Sequence, residues 1–124
     1  MEMHFASVWE TISDHIPDEP ALICDDDIKT WKEYDERAAK LAFFLDEKSI
    51  SNDSKVGLYL HNSNEYLEAQ FATFKVEGVP INVNYRYVEE ELIYLLDNSD
   101  SEVVFFQSSY SERIKKIADK LPKI

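Results

Sequence analysis

A chain of 124 residues, 44% hydrophobic and 13% aromatic, is long enough to bury a core and is not the composition of a disordered polymer. Its net charge of −12 comes from 25 acidic against 13 basic side chains, with no cluster of Lys and Arg. That excludes the counterion-releasing patches by which proteins hold nucleic acids or anionic membrane surfaces.

Cys24 is the single cysteine, so no intrachain disulfide and no CxxC metal knuckle can form. Met1-Glu2-Met3 offers no basic leader region, and nowhere do about 18 apolar residues run together. A soluble protein of the reducing cytoplasm is expected. The two glycines, Gly57 and Gly78, are too few for a phosphate-cradling loop, and neither GxGxxG nor a P-loop can be written.

In chain order, Phe5, Val8, Trp9, Ile12 and Ile16 recur at helical spacing, until Pro17 and Pro20 stop the helix. Ala21 to Cys24 and Ile28 to Trp31 flank Asp25-Asp26-Asp27 as a short hairpin. Thr30-Trp31-Lys32-Glu33 is a capping-box pattern, and Tyr34, Ala38, Leu41 and Leu45 form the inner stripe of the helix it starts. Ser49 to Ser54 is a polar connection. Val56, Leu58 and Leu60 alternate as a strand, and Asn62 and Glu65 can cap a helix carrying Leu67, Phe71 and Phe74.

Gly78 is the expected left-handed stop of that helix. Val79 to Val83 reads as a strand, with Pro80 near its start. Glu89-Glu90-Glu91 fills the first turn of a helix with Leu92, Leu95 and Leu96 inside. Val103 to Phe106 reads as a strand covered on both faces. Ser109-Tyr110-Ser111-Glu112 repeats the capping-box pattern ahead of Ile114, Ile117, Ala118 and Leu121. The fold class is therefore α/β: a helix, a hairpin and a helix, then three strand–helix units whose crossovers require a parallel sheet.

Ligands of open parallel sheets bind beyond the carboxyl ends of the strands. Here those ends are His61-Asn62-Ser63-Asn64, Asn84-Tyr85-Arg86-Tyr87 and Gln107-Ser108-Ser109-Tyr110. Helix capping accounts for most of the Asn and Ser. Arg86 between Tyr85 and Tyr87 could instead clamp a planar or anionic group. His61 lacks neighbours at metal-ligand spacing, and His4 and His15 carry no signal. Asp25 to Asp27 lacks the spacing and glycine of a calcium loop, and Glu89 to Glu91 matches a helix dipole. Ser108, Ser109 and Ser111 have no nucleophile elbow. No catalytic constellation, cofactor site or metal site is legible.

The segment Phe74-Lys75-Val76-Glu77-Gly78-Val79-Pro80-Ile81-Asn82-Val83-Asn84-Tyr85-Arg86-Tyr87, with Glu91-Leu92 and Tyr94-Leu95-Leu96, resembles the second core motif of the adenylate-forming superfamily. Thr30 to Tyr34 resembles its first core motif, and Lys55 to Leu60, continuing through Ala69, the strand and helix between them. Within the superfamily, Asn82 to Tyr87 is more similar to fatty-acyl and steroid-side-chain CoA synthetases.

The resemblance implies that residues 1–124 are the incomplete N-terminal part of an AMP-dependent synthetase/ligase domain. The full-length protein would activate a carboxylic acid with ATP and Mg2+ to acyl-AMP, then transfer the acyl group to CoA. The family's glycine-rich phosphate loop, adenine and metal segment, ribose-binding Asp and catalytic Lys are expected beyond Ile124. The resemblance thus carries no catalytic, cofactor-binding or metal residue onto a numbered position. The acidic triplet replaces the glycine-containing turn usual in the family.

Alone, the chain is expected to be inactive and to self-associate through an unprotected sheet edge. The alternative is a stand-alone α/β binding module.

Overall fold

The computed structural model describes residues 4–124. Met1-Glu2-Met3, read above for a leader, lies outside the described residues. The elements are α1 (Phe5–His15), β1 (Pro20–Cys24), β2 (Asp27–Thr30), α2 (Trp31–Glu47), β3 (Lys55–Tyr59), α3 (Asn64–Lys75), β4 (Val79–Asn82), α4 (Glu89–Asn98), β5 (Ser101–Phe106) and α5 (Ser111–Ile117). Short 3-10 turns precede and follow α5. β1 and β2 pair antiparallel, whereas β3, β4 and β5 form a parallel sheet in the order β4-β3-β5.

α2 begins as its sequence requires. The Thr30 side chain accepts from the Glu33 amide at 3.2 Å, and the Glu33 carboxylate accepts from the Thr30 amide at 3.0 Å. This reciprocal bond holds the Glu33 carboxyl below the usual carboxylate range. Tyr34, Ala38 and Leu45 are buried below it, with Leu41 partly so. The Tyr34 hydroxyl donates to the Leu67 carbonyl at 3.1 Å. Burial pushes that phenol's ionisation well above its normal range.

β3 lies between two cores. Val56 and Leu58 join Tyr34, Leu45, Ala69, Phe71 and Ala72 on the α2–α3 face. Tyr59 joins Val83, Leu92, Leu96, Ile117 and Leu121 on the α4–α5 face. Gly57 points to this second face, where an added Cβ would lie 2.9 Å from Leu96 Cδ2 and 3.1 Å from Val104 Cγ2.

Several local expectations are corrected. On α1 the buried residues are Ala6 and Ser13, while Phe5, Val8 and Ile16 are exposed. Small Ala6 lets the helix approach, Trp9 packs edge-on against Phe71 and Phe74, and the Ser13 hydroxyl donates to the Trp31 carbonyl at 3.2 Å. On α3 Leu67 is exposed, because Ala69, Phe71, Ala72 and Thr73 face the sheet and neighbouring helices. Its N-cap is Ser63, not Asn62, accepting from the Tyr66 amide at 3.3 Å.

The stop of α3 is also different. Glu77, not Gly78, takes the left-handed conformation, with φ 62. The Glu77 amide donates to the Phe74 carbonyl at 3.0 Å and the Gly78 amide to the Thr73 carbonyl at 2.9 Å, a Schellman pattern. Gly78 is required for space: a Cβ there would meet the Ser54 carbonyl oxygen and Thr73 Cγ2, each at 3.1 Å.

The second capping box does not form. Ser108–Tyr110 closes as a 3-10 turn, Tyr110 is the N-cap of α5 without a side-chain bond, and the Ser111 hydroxyl donates back to the Ser108 carbonyl at 2.7 Å. α5 ends at Ile117, which leaves Ala118 exposed. β5 starts at Ser101, and Val103, Val104 and Phe105 are only partly buried because β5 is an edge strand.

Candidate functional site

All three carboxyl ends of the parallel sheet converge on His61. Its ring Nε2 lies 2.5 Å from the Tyr110 hydroxyl, and its ring centroid 4.7 Å from that of Tyr85. The His61 amide donates to Gln107 Oε1 at 3.4 Å, and the Gln107 amide to the Tyr59 carbonyl at 3.1 Å. Tyr85 comes from the end of β4 and Tyr110 from beyond β5, so one imidazole ties both flanks to the central strand.

Below this surface lies a second knot that the sequence did not reveal. The Tyr59 ring is fully buried and stacks on Tyr110, with centroids 4.7 Å apart. Its hydroxyl donates to the Tyr87 carbonyl at 2.7 Å and accepts from Arg113 Nη1 at 2.9 Å. Arg113 Nη1 also donates to the Tyr87 carbonyl at 3.3 Å, and its Nε lies 3.8 Å from Glu89. The bond to Tyr59 raises the guanidinium's affinity for its proton. Arg113 stands 54 positions from Tyr59 on a helix face among other charges, so no local motif marks it.

Arg86 does not clamp a ligand between two tyrosines here. Its guanidinium sits 5.7 Å from the Tyr85 ring centroid, while Tyr87 turns toward the α4–α5 core. The Asn84 side chain accepts from the Arg86 amide at 2.9 Å, fixing the turn. Tyr85 and Arg86 are exposed, and the β4–α4 loop is held by Tyr87 and Asn84.

Beside these ends, on the α2–α3 face, an open cleft of about 540 Å³ has Leu41, Leu60, Ala69 and Phe105 in its lining and Lys40 and Gln107 among its polar residues. Glu68 is buried in it and accepts from Arg37, whose Nη2 lies 3.2 Å from Oε1. That bond strengthens the guanidinium's hold on its proton. Asp27 bonds to Lys29 and, at 3.0 Å, to Asn64 Nδ2, and these bonds lower its carboxyl from the usual range. It therefore serves the hairpin, and Asp25, at φ 52, serves the turn. Among the described residues no group of three or more His, Cys, Asp and Glu side chains is placed to hold a metal.

Several donors and acceptors at the carboxyl ends are engaged with one another. His61 and Tyr110 bond each other, Gln107 spans two strands, and Arg113 is spent on Tyr59 and Tyr87. Such an arrangement positions loops.

Residues 9–124 match the family described as "AMP-binding enzyme". The chain belongs to that family. It is 37% identical over 124 residues to a 3-oxocholest-4-en-26-oate–CoA ligase of Rhodococcus rhodochrous, covering 100% of this chain and 22% of the relative. It is 36% identical over 124 residues to a medium/long-chain-fatty-acid–CoA/3-oxocholest-4-en-26-oate–CoA ligase of Mycolicibacterium smegmatis, again covering 100% and 22%.

Among solved structures, the N-terminal domain of FACL13 from Mycobacterium tuberculosis superposes with TM-score 0.91 at 21% identity, over 99% of this chain and 33% of that one. An anthranilate CoA ligase in complex with anthranoyl-AMP gives TM-score 0.91 at 18% identity, over 100% of this chain and 24% of its own. These likenesses support the α/β fold. The chain spans about a fifth of the curated relatives' length, 22% in both cases.

Proposed function

We propose that this chain is the N-terminal part of an AMP-forming acyl-CoA synthetase that joins a fatty acid or a steroid side-chain acid to CoA. The observation that carries this reading is the 37% identity to a 3-oxocholest-4-en-26-oate–CoA ligase across all 124 residues. In the complete enzyme ATP, with Mg2+, would supply the adenylate that activates the carboxylate, and CoA would accept the acyl group. Its partners are these small molecules, with no nucleic acid and no membrane insertion, and its compartment is the cytoplasm. In the described residues no helix is long and apolar enough to cross a membrane.

The role of residues 4–124 in this reading is to build the α2–α3 layer and the three parallel strands β3, β4 and β5 on which the rest of the domain would rest. No residue among them is assigned to bind nucleotide or to react. The test is a chimera in which this chain replaces the matching segment of the Rhodococcus ligase. Thioester formation that requires acid, ATP and CoA is the expected result. A folded chimera that makes no thioester from either a medium-chain fatty acid or a steroid side-chain acid rejects the reading.

A further inference from the structure

We draw no further inference here: the strongest candidate, the side-chain cluster of His61, Tyr85 and Tyr110 at the carboxyl ends of the parallel sheet, belongs to the site already described, and nothing in the structure shows what covers it.

Discussion

The Tyr59 hydroxyl accepts from Arg113 at 2.9 Å while donating to the Tyr87 carbonyl at 2.7 Å. One buried phenol thus fastens α5 and the β4–α4 loop to the central strand. Tyr59→Phe keeps the ring and its stacking on Tyr110 but strands the Tyr87 carbonyl with a weaker donor. A loss of about 1–2 kcal/mol is expected by urea denaturation. Arg113→Met should destabilise the parent and add less in the Tyr59→Phe background, because the two changes remove one shared bond. Additive effects in that cycle refute the coupling.

Thr30→Ala removes the acceptor for the Glu33 amide and should cost about 1 kcal/mol. Restoring a cap with Ser or Asp recovers most of it. A similar loss from Ser111→Ala would contradict the structure, since that hydroxyl only donates to an exposed carbonyl.

Substitutions at the end of α3 separate two kinds of demand. Glu77 is strained at φ 62, so Glu77→Val should be less stable than Glu77→Gly by about 1–2 kcal/mol. At Gly78 the limit is room, so Gly78→Ala and Gly78→Asn both lose stability, and Asn gives no relief. Equal midpoints for the two Glu77 variants refute the assignment.

Asp27 supplies a pH dependence. Its folded carboxyl titrates below the unfolded value, through its bonds to Lys29 and Asn64. Its contribution is therefore complete above an unfolded pKa of about 3.9 and is lost as pH falls through the lower folded value. The thermal midpoint should fall in that acid window, and Asp27→Asn should flatten part of the fall. An unchanged slope in the variant rules out this role.

Residues 1–124 alone should show no carboxylate-dependent exchange between ATP and pyrophosphate. The sequence has two glycines, too few for a phosphate-cradling loop. Acid-dependent exchange by the purified chain would contradict this.

What could be read in advance follows the range of the interaction. The capping box at Thr30, the inner stripe of α2 and the strand–helix alternation are set by residues three to seven apart, and all formed as their spacing implies. Of the α1 and α3 stripes Trp9, Phe71 and Phe74 reach the core, whereas Phe5, Val8 and Leu67 stay exposed, because small residues, Ala6, Ala69 and Ala72, decide where helices approach. Hydrophobicity gives them little weight. The turn at Glu77 escaped notice because glycine is the usual left-handed residue, yet Gly78 was needed one position later for clearance. The His61 and Arg113 contacts span 49 and 54 positions and depend on strand order.

β3 has a further consequence as the key that sets the whole layer in register. Val56 and Leu58 face one core, and Gly57 and Tyr59 the other. Sliding this strand by a single residue would spoil both cores in the same move. The α2–α3 side would receive a glycine where it needs bulk. The α4–α5 side would receive a branched side chain where Leu96 Cδ2 leaves only 2.9 Å for a Cβ. Misregistered pairings of the sheet are thereby penalised twice over, and a five-residue strand can hold its alignment without a tight hairpin to fix it.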